Sequence, residues 1–98
     1  MSVLVPSERL DTPEAVEAYL LASFVQAFDI YDPNPIIKAL GVVARAQGMT
    51  RMAEDAELSR TALYRALSAE GRPELSTIFK VMQALGLRLA QVRMKPAA

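Results

Sequence analysis

From residue 12 to residue 86 the apolar positions recur at a helical period, broken at four places by turn residues. Thr12 offers an N-cap and Pro13 a first helical residue, with Glu14 and Glu17 near the positive helix end. This predicts a first helix from about Pro13 to Phe28. Its apolar positions, Val16, Tyr19, Leu20, Leu21, Phe24, Val25 and Phe28, cover more than half of the circumference. A helix packed on one core needs a stripe only somewhat wider than ~100°. The surplus is covered either on a second side within the chain or by another chain, and the small size of the protein favours the second. A turn at Asp29–Asp32 leads to a second helix capped by Asp32, with Pro33 at its first position and Gly48 as a left-handed stop. Ile36, Ile37, Leu40, Val43, Ala44 and Gln47 share its inner face.

The next stretch, Thr50 to Leu67, reads as two short helices joined by a tight turn. Thr50 caps the third helix, and Met52, Ala53 and Ala56 turn inward. Leu58 fills the space between the helices. Ser59 caps the fourth helix, which Leu63, Ala66 and Leu67 anchor. Arg60, Thr61, Tyr64, Arg65 and Ser68 are left facing out. This is the pattern of a helix-turn-helix whose second helix enters the DNA major groove. After a loop from Ser68 to Pro73, Ser76 caps a fifth helix to about Leu85, stopped by Gly86. Residues 87–94 partly alternate and predict a short β-strand. A lone strand cannot satisfy its own hydrogen bonds, so its partner is expected to be its own copy across a two-fold axis; otherwise it is a frayed tail.

The predicted architecture is therefore all-α: five helices in one domain over 1–98, with an irregular arm at 1–11 and a C-terminal strand at 87–94. The chain has 98 residues, 52% of them hydrophobic, which argues against disorder. No apolar run approaches the ~20 residues of a membrane span, and the first residues do not form a signal peptide. The chain contains neither Cys nor His, so no disulfide, zinc site or histidine-dependent nucleophile is expected. Nothing suggests a cofactor, and an enzyme is not expected. Cysteine usage fits a cytoplasmic protein.

Net charge is zero, but it is unevenly spread. Residues 1–48 hold three bases against six acids, and residues 49–98 hold eight bases against five acids. The basic half contains the bihelical unit, as DNA binding requires. The acidic half suits a basic protein partner. Within the fourth helix Arg60 can donate two hydrogen bonds to a guanine edge, and Ser59 and Thr61 can bond more permissively. Tyr64 and Arg65 can reach bases or phosphates. Thr50 and Arg51, at the start of the third helix, suit a phosphate, as does Arg72. Tyr19, Phe24, Phe28, Leu89 and Val92 are candidates for a dimer or partner interface.

Several runs, in this order and spacing, resemble a known family. They are Leu10–Ala15 with Ala18–Leu20, Ile37–Gly41 with Ala44–Met49, Leu58–Arg60 with Leu63–Ser68, and Glu70–Pro73 with Ser76–Ile78 and Ala84–Leu89. Together they look like the addiction-module antidote proteins, antitoxins with a Cro/repressor-type helix-turn-helix. The resemblance covers roughly residues 9–94. It implies a RelE-like, mRNA-cleaving toxin neutralised by direct binding, and dimeric binding to operator DNA with repression of the shared operon. The alternatives are a stand-alone phage-type repressor and a toxin-binding protein with little DNA affinity. The chain departs from the family's pattern in three places. Glu57 occupies the turn position that usually holds Gly; if that position needs a positive φ, Glu costs on the order of 1 kcal/mol. Glu74 stands where a basic or neutral residue is common. Phe24 to Tyr31 is more apolar than the usual acidic linker.

Overall fold

The computed structural model describes residues 10–68 and 72–97. The arm expected at 1–11 therefore lies largely outside the described residues, as do positions 69–71 of the loop after the fourth helix. Five helices follow one another: α1 Pro13–Ile30, α2 Asn34–Gln47, α3 Met49–Asp55, α4 Arg60–Ala66 and α5 Leu75–Ala84. Among the described residues none of the helices is long and apolar enough to cross a membrane.

Local signals set most of the helix ends. The Thr12 hydroxyl accepts from the Ala15 N–H at 3.1 Å, and the Ser59 hydroxyl accepts from the Ala62 N–H at 3.0 Å, so both predicted N-caps form. The Asp32 carboxylate accepts from the Asn34 N–H at 2.9 Å, but Asp32 is not the cap: Pro33, expected at the first helical position, holds the N-cap of α2, which begins at Asn34. Gly86 ends α5 at φ 87°, while Leu87 donates back to the Met82 carbonyl at 3.0 Å. Gly48 has φ 104° and serves two helices. It donates to Ala44 at the end of α2, and its carbonyl accepts from Met52 at the start of α3.

Two further predicted caps are corrected. Thr50 lies inside the first turn of α3, because Gly48 already holds the cap position without a side-chain bond. Ser76 lies inside α5, which begins after Glu74 and likewise lacks a side-chain cap. In each case the helix extends upstream of the predicted cap.

The core lies where the inner faces of all five helices meet. Leu20, Leu40, Val43, Met52, Leu63 and Val81 are its largest fully buried side chains. Of the α2 positions expected inside, Gln47 is exposed and Ile36 is half-buried. α1 packs chiefly on α2, α3 packs on α2, and α4 packs on α3. Gly41 on α2 is buried against the end of α4, where a Cβ would lie 2.8 Å from the Arg45 guanidinium and 3.4 Å from the Leu67 carbonyl. The first of these is the movable end of a long side chain and the second an ordinary contact distance, so α2 and the chain just after α4 lie close here without requiring glycine.

The expected C-terminal strand is absent: residues 87–97 are irregular, and beyond Leu87 they are exposed. The physical reason was already visible in the sequence. A segment with a half-apolar alternation forms a strand only when a neighbour takes up its backbone hydrogen bonds, and a single chain offers none here.

Candidate nucleic-acid interface

α4 is seven residues long, and such a short helix is not stable alone. It persists because its two ends are held and its inner face is anchored. Ser59 caps the N-terminus, while Leu63 and Leu67 are buried in the core and Ala66 packs beneath. That anchoring leaves the opposite face to solvent. Arg60, Thr61, Tyr64 and Arg65 are all exposed there and line one open depression on the surface. The Arg60 guanidinium sits 5.7 Å from the centre of the Tyr64 ring and donates a long hydrogen bond, 3.5 Å, to the Tyr64 hydroxyl. Stacking on an aromatic face is weak when exposed, worth about 0.5–1 kcal/mol. It nevertheless pre-positions a cation that would otherwise sample many rotamers.

The turn that delivers α4 is built by an unfavourable residue. Glu57 adopts φ 58°, the left-handed conformation that favours glycine. Around it, the Glu57 N–H donates to Glu54 at 3.1 Å and the Leu58 N–H donates to Ala53 at 2.9 Å. These two bonds close the end of α3 and drop Leu58 between the helices, packed against the core. The positive φ anticipated for this position is therefore present. A second residue shares the conformation without a sequence signal: Tyr31 ends α1 at φ 57°, with the Asp32 N–H donating to Ala27 at 3.1 Å.

The structure separates the other expected contact residues from this depression. Thr50 and Arg51 are exposed on the first turn of α3. Arg51 is partly committed: its Nε lies 3.8 Å from Asp55 Oδ2, with both side chains largely in solvent. Arg72 lines a different, mostly apolar groove, with Phe24, Asp32, Phe79 and Met82 among its other walls. Of the eight expected DNA-facing residues, four line the α4 depression, and Ser59 caps the helix that carries them.

The five expected interface residues also divide. Tyr19 and Phe24 pack partly buried against the protein's own core, and burial raises the pKa of the Tyr19 phenol. Phe28, Leu89 and Val92 are exposed. The surplus apolar surface of α1 continues through Leu21 and Val25, which are exposed as well. Their signal in the sequence was the excessive width of the α1 stripe, which does not say which residues face out.

The family model described as "probable addiction module antidote protein" matches residues 1–93. The chain belongs to this family. Its role is that of an addiction-module antidote, and an antidote implies a toxin as partner. An uncharacterized protein of Haemophilus influenzae is 42% identical over 82 residues, spanning 84% of this chain and 80% of the relative. No solved structure matches the chain.

Proposed function

We propose that this antidote is the antitoxin of a type II toxin–antitoxin module in the cytoplasm. It acts by binding and catalyses nothing itself. It neutralises a RelE-like ribonuclease by direct contact, and as a homodimer it represses its own operon through a helix-turn-helix formed by α3 and α4. The observation that carries the DNA half is the capped, core-anchored α4 with Arg60, Thr61, Tyr64 and Arg65 on one exposed face. Cationic and short polar side chains at the start of a recognition helix are what base edges require. Arg60 reads a guanine edge, Arg65 holds a phosphate or a second base, and the first turn of α3 meets the backbone. Two copies present two such faces to a two-fold operator, and their contact covers Leu89 and Val92 of the tail.

The test is titration of the full chain against a DNA fragment carrying its own promoter, across a salt series. Operator affinity is expected to fall steeply with salt, and Arg60→Ala is expected to erase the preference for operator over unrelated DNA. Salt-independent affinity, or undiminished preference in Arg60→Ala, overturns the DNA half.

One set of observations favours a second reading, an antitoxin with little DNA affinity. Glu57 brings a carboxylate into the turn beside α4, Asp55 offsets Arg51, and Arg72 lies away from the α4 depression. Binding to promoter DNA no tighter than to unrelated DNA, with the toxin still neutralised, would establish it.

A further inference from the structure

Residues 10–33 contain five carboxylates, Asp11, Glu14, Glu17, Asp29 and Asp32, and no base. α1 runs through this stretch for 18 residues, about 27 Å at 1.5 Å per residue. At 100° per residue, Glu14, Glu17, Leu21, Val25 and Phe28 fall on one side of it. That side is turned away from the core. Leu21 is 64% exposed, Val25 53% and Phe28 79%. The helix thus presents a straight ridge, carboxylates on its first turns and large apolar side chains on its last ones. Such a ridge is the shape and pattern that docks into a groove, with apolar anchors about one turn apart.

We infer that the outer face of α1 is the surface by which this antidote grips its toxin, with Leu21, Val25 and Phe28 seated in an apolar groove whose rim carries Lys and Arg. The inference rests on the reading that the toxin is neutralised by direct contact. Charge selects the occupant. A second copy packed parallel would set carboxylates against carboxylates, and one packed antiparallel would press Glu14 and Glu17 onto the apolar Val25 and Phe28 with no cation to pair them; like-charge juxtaposition and unpaired buried charge both cost several kcal/mol. A protein that acts on nucleic acid carries a basic surface, because its substrate is a polyanion. Glu14 and Glu17 meet that surface where the substrate's phosphates would otherwise lie. The placement of the faces follows the same division. α1 packs chiefly on α2 and α4 on α3, so the cationic face of α4 stands on a different part of the fold. A basic partner is drawn to the first and repelled by the second, which leaves α4 free while the toxin is held.

The experiment uses the full chain and, as probe, the purified protein encoded by the reading frame adjoining its gene. Affinity is measured by calorimetry for the wild type, for Val25→Lys/Phe28→Lys, and for Glu14→Lys/Glu17→Lys, with far-UV circular dichroism confirming the fold of each. The apolar pair is expected to weaken binding at least ~30-fold, as loss of a central anchor does. The carboxylate pair is expected to slow association and flatten its salt dependence. At physiological salt, where charges more than about 8 Å apart are screened, the preference for operator over unrelated DNA is expected to stay within about twofold in both, since the altered positions lie outside the α3–α4 unit. Unchanged affinity in both variants overturns the surface. Loss of the homodimer in light scattering, with the probe still bound as tightly, assigns the ridge to a second copy and overturns the inference equally. Failure of the wild type to bind the probe at all is a different result. It removes the toxin-neutralising reading itself, and the surface assignment with it.

Discussion

α1 and α4 each expose a face, and the two faces have little in common. On α1 the exposed side is apolar and acidic, carried by a helix of 18 residues. On α4 it is polar and cationic, carried by a helix of seven. Their inner sides differ as well. α4 commits Leu63, Ala66 and Leu67 to the core, the positions its length allows, so its outer chemistry is decoupled from stability. α1 buries Val16, Leu20 and Ala27 and still has large apolar side chains left over. A short capped helix can vary its outer residues freely, which suits sequence reading. A long helix with surplus apolar surface is costly to leave in water, at roughly 25 cal/mol per Å², and this cost is the physical ground for the proposal that a partner covers it.

The strongest way to break this comparison is to remove the anchor of α4. Leu63 is fully buried beneath the cationic face. Leu63→Ala is expected to destabilise the protein by about 2–5 kcal/mol, measured by urea unfolding. A domain of this size has on the order of 5–15 kcal/mol in total, so DNA binding should fail together with the fold. If Leu63→Ala costs less than ~1 kcal/mol, α4 is not held by the core in the way described.

Next in size is the loss of a base contact. Arg60→Ala is expected to weaken specific operator binding by about 1–3 kcal/mol, while binding to unrelated DNA falls less. Tyr64→Phe sharpens the point, because it keeps the ring under Arg60 and removes the hydroxyl 3.5 Å away. Its effect should be several-fold smaller than that of Arg60→Ala. An equal loss would mean that Tyr64 itself reads DNA.

The turn between α3 and α4 gives an effect of opposite sign. Glu57→Gly relieves the left-handed strain at φ 58° and is expected to stabilise the protein by up to about 1 kcal/mol, offset by the greater freedom of glycine when unfolded. It also removes a carboxylate from the turn that leads into α4, so operator affinity should rise at low salt. Stabilisation without any gain in affinity would show that Glu57 points its charge away from the DNA.

Glu57 also marks where sequence reading succeeds and where it stops. Thr12, Ser59 and Gly86 were legible because each acts on backbone within a few residues of itself, so local order is enough. The strain at Glu57 was legible only as a departure from a family pattern. Tyr31 adopts the same conformation with no such cue, because the bonds from Tyr31 and Asp32 back into α1 impose it. The face of α4 is legible because Leu63, Ala66 and Leu67, at helical spacing, fix the helix's rotation. On α1 the apolar stripe is too wide to fix the rotation, so the pattern does not separate Tyr19 and Phe24, which pack on the core, from Phe28, which does not. The tail departs from its pattern for a further reason. Alternation of apolar and polar residues describes a strand's faces but supplies no partner for its backbone.

The smallest expected effect tests whether α3 contributes to the cationic face. Arg51 and Asp55 stand one turn apart, 3.8 Å between Nε and Oδ2, with Arg51 81% and Asp55 48% exposed. An exposed pair of this kind contributes only ~0.3–0.5 kcal/mol, so Asp55→Ala should leave unfolding nearly unchanged. DNA binding should respond differently. If Arg51 meets a phosphate, Asp55 competes for the same cation, and removing it should raise affinity a few-fold and steepen the salt dependence by less than one counterion. The effect should vanish in Arg51→Ala, which makes the pair a double-mutant cycle with a defined answer. A gain that persists without Arg51 would mean that Asp55 acts on the DNA through the general field of the surface. The contact face would then begin at α4 and not at α3.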